Sequence, residues 1–168
     1  FEKMLRQERL EQRIDLSIRS EVRGFHAIDE ELKSLSDSIT FNQRVRISRR
    51  LENCTGGKTA DFKSLVSIAA AIGDQTRVKI DSDHLRKVVI MITDGGSDDI
   101  SLAREARNLL IEAKVITKAV LIGRASKTEA EKFRKVWDKD GMPCRNVSQL
   151  VNVIEGLLEE LLEAAKEC

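Results

Sequence analysis

The stretch NCTGGKTADF, Asn53 to Phe62, places Lys58 and Thr59 behind a glycine pair, the residue types with which a P-loop holds a nucleotide. Such a loop reads G-x-x-x-x-G-K-[ST], follows a buried strand and opens a helix, so that its backbone amides wrap the phosphates. Here Glu52 stands where the first glycine belongs, and the preceding RISRRLEN is too polar for a buried central strand. A glutamate there lacks glycine's backbone freedom and repels phosphate. Thr59 therefore calls for another role, and the helical pattern that follows it makes a helix N-cap one of them.

A second chemical group closes KVVIMITDG, Lys87 to Gly95. Asp94 lies at the carboxyl end of the most apolar strand pattern, where open α/β sheets place their ligands, although two following glycines also suit a plain turn. Other clusters are poorer. Asp81, Asp83 and His84 in IDSDH lack the ligand spacing of a calcium loop. Arg44, Arg46, Arg49 and Arg50 form a basic stripe, yet with 4% aromatic residues there is little for bases to stack on, so no nucleic-acid partner is expected. Cys54 has no histidine partner in view and reads as packing. No G-x-S-x-G elbow exists for a serine hydrolase.

The elements that must position Thr59 and Asp94 alternate. KVVIMITDG is predicted as a strand buried on both faces, and SDDISLAREARNLLIEAK as a helix capped by Ser97 or Asp98. VITKAVLIG (115–123) repeats the strand and KTEAEKFRKVWDKDG (127–141) the helix, with Trp137 in the core. A short strand CRNV follows Pro143, and SQLVNVIEGLLEELLEAAKEC reads as a final helix capped by Ser148. Upstream, ADFKSLVSIAAAI is a helix with Phe62, Leu65, Ile68, Ala69 and Ile72 in one stripe. HAIDEELKSL is expected as a helix, and SITFN with VRISRRL as a hairpin. Residues 1–24 fit either one long helix or a strand at RIDLSI. Alternating βα units favour a mostly parallel central sheet flanked by helices on both faces.

The composition suits one domain over the 168 residues, with 41% hydrophobic and 34% charged residues. The 29 basic and 28 acidic side chains leave no net field to gather nucleic acid or an anionic membrane. The longest apolar run, Val88 to Ile92, is too short to cross a bilayer, so no membrane insertion is expected. Three cysteines at wide spacing and two histidines suggest neither a disulfide framework nor a zinc cluster, and a cytoplasmic setting is expected. Beginning at Phe1, the sequence reads as a piece of a longer chain.

The order of these motifs resembles a von Willebrand factor A (vWA) domain, a Rossmann-like α/β fold. TGGKTADFKSLVSIAAAI matches the family's threonine loop and middle helix, and VVIMITDGGSDD its aspartate loop. ITFNQRVRISRRL resembles its second and third strands, and AVLIGRAS with the final helix its end. The resemblance implies a metal-ion-dependent adhesion site (MIDAS), whose first loop reads D-x-S-x-S. In IDLSIRSEVRG, Asp15 and Ser17 take the expected positions, while Arg19 replaces the second serine and Ser20 follows one residue late.

By that match Asp15, Ser17, Thr59 and Asp94 are the metal ligands, holding Mg²⁺ or Mn²⁺. The ion keeps a coordination position open for a Glu or Asp carboxylate of a partner protein. The resemblance implies a binding module and not an enzyme, and in cytoplasmic members an AAA+ ATPase of the MoxR type as partner. Two alternatives stay open. One is a metal-independent scaffold of the same fold, the other a nucleotide-handling α/β enzyme using TGGKT. Asp15 and Ser17 also fit exposed positions on a long amphipathic helix.

Overall fold

The computed structural model describes residues 20–25, 29–36, 40–53, 59–77 and 87–166. Their elements are β1 (Ser20–Phe25), β2 (Asp29–Ser36), α1 (Phe41–Asn53), α2 (Asp61–Arg77), β3 (Val88–Thr93), α3 (Ile100–Glu112), β4 (Ile116–Ile122), α4 (Lys127–Trp137), a 3₁₀ turn (Asp138–Asp140), β5 (Gly141–Cys144) and α5 (Val147–Lys166). The chain divides into two compact units, Phe1–Gly24 with Glu30–Gly56, and Phe25–Asp29 with Gly57–Cys168.

The second unit is built on a parallel sheet of order β3-β4-β5. Val88 pairs with Ile116 and the register runs to Thr93 with Leu121; Ala119 to Ile122 then pair with Gly141 to Cys144. Because side chains alternate across a strand, this register divides the core in two. Met91, Ala119 and Leu121 pack with Leu65 of α2, Ala103, Ala106 and Leu110 of α3, and Phe133, Val136 and Trp137 of α4. Val120 and Cys144 face the other way, with Ile90, Ile122 and Met142, onto Leu157, Leu150 and Val153 of α5. Helices thus cover both faces. Trp137 is 1% exposed, as its place in an amphipathic helix predicts.

Several boundaries depart from the sequence expectation. The last strand is GMPC, not CRNV. The Cys144 carbonyl accepts from the Gly123 amide at 2.7 Å, which turns the Cys144 peptide edge toward β4 and that of Pro143 outward. Proline is tolerated there because its missing donor faces away from the ladder. The cap of α3 is Asp99, whose side chain accepts the Leu102 amide, instead of Ser97 or Asp98. At α5 the Asn146 side chain accepts the Gln149 amide at 2.9 Å.

In the first unit β1 and β2 form a two-stranded sheet, and both upstream predictions are overturned. HAIDEELKSL, expected as a helix, contains strand β2. The buried Lys33 ammonium donates to the carbonyls of Ser20, Ser34 (3.2 Å) and Ser36 (3.0 Å) and to the Ser36 hydroxyl (2.9 Å). The Ser20 contact lies 13 residues away, so a local pattern could not reveal it. SITFN and VRISRRL, expected as a hairpin, give way to helix α1. Val45 and Ile47 are half-buried between exposed arginines, which mimics a strand's alternation. A capping box decides otherwise: the Thr40 hydroxyl accepts the Gln43 amide at 3.2 Å, and the Gln43 side chain accepts the Thr40 amide at 2.8 Å.

Candidate functional site at the carboxyl end of β3

Strand β3 ends at Thr93, whose buried hydroxyl donates to the Gly95 carbonyl at 3.0 Å and accepts the Gly95 amide at 3.3 Å. This tight turn lifts Asp94 to the surface. Among the described residues its carboxylate has no hydrogen-bond or ion-pair partner. The loop then passes close to α4: a Cβ on Gly96 would lie 2.4 Å from the Lys132 Cβ and 2.7 Å from the Glu129 carbonyl oxygen. Only glycine fits that approach. The Gly96 amide donates to Glu129 Oε2 at 2.8 Å, and Lys132 donates to Glu129 Oε1 at 2.9 Å. The Lys132 ammonium, and then the Gly96 amide, hold the Glu129 carboxyl below its ordinary range.

The same loop is tied to the threonine loop by two bonds. The Asp98 amide donates to the Thr59 carbonyl at 3.0 Å, and the Ser97 hydroxyl donates to Asp61 Oδ1 at 2.5 Å. Ser97 and Asp61 are each 2% exposed. Asp61 opens α2, where its Oδ1 also accepts the Phe62 amide at 2.9 Å. Burial pushes the Asp61 carboxyl up, against the opposing pull of the Ser97 and Phe62 bonds. Thr59 Oγ1 sits beside Gly95, 3.4 Å from where a Cβ would stand, and has no hydrogen-bond partner among the described residues. It does not cap α2.

Thr59 and Asp94 therefore lie on two adjoining loops at one end of the sheet, each with an oxygen that no other described residue takes up. Asp15 and Ser17 lie outside the described residues, as do Arg19, Cys54, Asp81, Asp83 and His84. Among the described residues no group of three or more His, Cys, Asp or Glu side chains could hold a metal ion. The donors that are described, one hydroxyl and one carboxylate, are the hard oxygen types that Mg²⁺ and Mn²⁺ take. The P-loop reading loses its frame, because the element before TGGKT is helix α1 ending at Asn53, where a P-loop requires a strand.

Sequence reasoning missed Asp61, Ser97 as its partner, and Glu129. Asp61 carried a signal, an acid opening an apolar helix stripe. Glu129 carried none, since Gly96 lies 33 residues before it.

A parallel sheet with helices on both faces is a Rossmann-like α/β fold, consistent with a vWA-like one. The chain is similar to the manganese-loaded TRAP protein of Plasmodium vivax, at TM-score 0.50 and 15% identity, over 77% of this chain and 53% of that one. It is also similar to proximal thread matrix protein 1 from the mussel byssus, in one crystal form at TM-score 0.54 and 18% identity, over 85% of this chain and 34% of that one. Another structure of that protein gives TM-score 0.51 at 19% identity. The chain thus spans about half of the first protein and a third of the other, and at these identities the likeness is one of fold. No protein-family model matches the sequence, and no curated protein matches it. Among the described residues no helix is long and apolar enough to cross a membrane.

Proposed function

We propose that this chain is a protein-binding module of vWA type that engages a partner's Glu or Asp carboxylate at the carboxyl end of β3, through Mg²⁺ or Mn²⁺. The observation that carries the reading is a pair of oxygens unpartnered among the described residues, the Thr59 hydroxyl and the Asp94 carboxylate, on two loops bonded to each other. Asp15, Ser17, Thr59 and Asp94 would hold the ion. A bound divalent cation supplies an electrophilic position that an acidic side chain can fill. The chain's own part is to present oxygens from two loops bonded to each other at the carboxyl end of β3. The manganese in the similar TRAP structure supports a metal of this class. We read the chain as a binding module and not an enzyme, acting in the cytoplasm, with an AAA+ ATPase of the MoxR type as one partner class.

A second reading is favoured by Arg19, which stands where the family's second serine belongs. Its positive charge disfavours a cation in the first loop, and the module would then bind without metal. Calorimetric titration of Mg²⁺ and Mn²⁺ into the protein, with Thr59→Ala and Asp94→Ala in parallel, separates the two. Saturable binding in the unmutated protein that both variants lose is the expected result. No binding to a protein whose circular dichroism shows it folded overturns the metal-dependent reading. Because Asp94 is exposed and has no partner among the described residues, its removal is expected to shift stability by no more than about 0.5 kcal/mol.

A further inference from the structure

We infer that Asp61 is a positioning residue, which acts through Ser97 to lock the threonine loop onto the aspartate loop and so hold the Thr59 hydroxyl beside Gly95. The inference rests on the binding-site reading above and adds to it a residue that contacts neither ion nor partner.

A helix-opening aspartate ordinarily stays at the surface, where it accepts a backbone amide while remaining solvated. Asp61 makes that local bond, to Phe62, yet is 2% exposed. Burying a carboxylate is costly unless polar partners replace its water. The replacement here is the Ser97 hydroxyl, 36 residues away on the far loop. A bond of this reach does nothing for the start of α2 that the Phe62 amide does not already do. What it does is close a ring. Thr59, the buried Ala60 and Asp61 form one side, Ser97 and Asp98 the other, and the Asp98 amide on the Thr59 carbonyl completes it. Gly96, pressed on α4, fixes the second side in turn. Within that ring Thr59 cannot withdraw from Gly95 unless the Asp61 or the Asp98 bond breaks.

The test measures amide hydrogen exchange at Asp98, with Ala119 of central strand β4 as the reporter of global opening, and Mn²⁺ affinity in the same full-chain samples. Asp61→Ala and Ser97→Ala remove the bond, whereas Asp61→Asn keeps an acceptor of the same shape. Losing a hydrogen bond to a charged group is expected to speed Asp98 exchange about tenfold or more in both Ala variants. Ala119 should stay as protected as before, Mn²⁺ affinity should fall by about the same factor, and Asp61→Asn should restore both. If Asp61→Ala exposes Ala119 and so proves unfolded, Ser97→Ala carries the comparison. Unchanged Asp98 exchange in the folded Ala variants overturns the inference, and so does faster exchange with unaltered Mn²⁺ affinity. Absence of Mn²⁺ binding in the unmutated protein overturns the metal reading instead, and Asp98 exchange then decides alone whether the loops are locked.

Discussion

Arg107 holds parts of three elements together from one position on α3. Its guanidinium donates to the Thr117 hydroxyl of β4 at 3.3 Å, to the Val136 carbonyl of α4 at 2.8 Å and to the Asp140 carboxylate. It also lies 5.4 Å from the Trp137 ring centroid, within cation–π range. The side chain is 13% exposed, so most of this network is out of water. Lys118 stands 3.5 Å from Asp140 and would keep that carboxylate partnered if Arg107 were lost. Arg107→Ala is therefore expected to cost roughly 2–3 kcal/mol, somewhat below the loss of a fully buried ion pair. Arg107→Lys should recover only part, since an ammonium cannot span three acceptors that a planar fork reaches. Urea denaturation of the three proteins checks the order. Residues such as Arg107, Asp61 and Glu129 were not readable as partners in the sequence, because the contacts lie 10 to 36 residues away. Thr59 and Asp94 were readable because each sits inside its own motif. The structure brings their loops together, and the other half of the expected ligand set, Asp15 and Ser17, lies outside the described residues.

At the scale of elements, α3 ends in a Schellman arrangement. The Lys114 amide donates to the Ile111 carbonyl and the Val115 amide to the Leu110 carbonyl, each at 2.9 Å. Lys114 takes a φ of 58°, the left-handed conformation that glycine adopts most easily. Lys114→Gly is expected to relieve about 1 kcal/mol of this cost and raise the thermal midpoint by about 2–4 °C. The contact of α4 with the aspartate loop has a pH dependence of fixed sign. Glu129 is held below its ordinary value of 4.5, chiefly by the Lys132 hydrogen bond and then by the Gly96 amide. Its contribution is complete above about pH 4.5 and is lost as pH falls through the lower, folded value. Glu129→Gln should flatten that part of the acid limb in denaturation midpoints measured against pH.

The elements that sequence reasoning recovered run from α2 to α5, with β5 at GMPC in place of CRNV; β3 is a strand as expected but is not buried on both faces, since Val88 and Ile92 are exposed. Continuous apolar runs form the strands, and stripes at helical spacing form the helices. It failed at β2 and α1, for two different reasons. In DEELKSLS only pairing with β1 and the bonds of Lys33 favour a strand. In α1 the signal was present, as Thr40 and Gln43 three residues apart, but the alternation of arginines with Val45 and Ile47 outweighed it.

For the molecule as a whole, nearly all of the fully buried apolar side chains belong to the second unit; Leu32 is the exception among the described residues. The sheet that carries the candidate site is therefore also the part best able to hold its shape when a ligand pulls on it. Among the described residues that sheet is bordered by β3 and by β5, where Pro143 turns its peptide edge outward. An open strand border is a template onto which another copy can add, rung by rung, toward aggregation. Pro143 removes the amide that such an added strand would need, and β5 offers only four residues in all. Pro143→Thr restores the donor, and light scattering at rising protein concentration is expected to show self-association that the unmutated chain lacks. By this reasoning the pyrrolidine ring of Pro143 is also a guard, set so that the sheet does not meet its neighbours along β5.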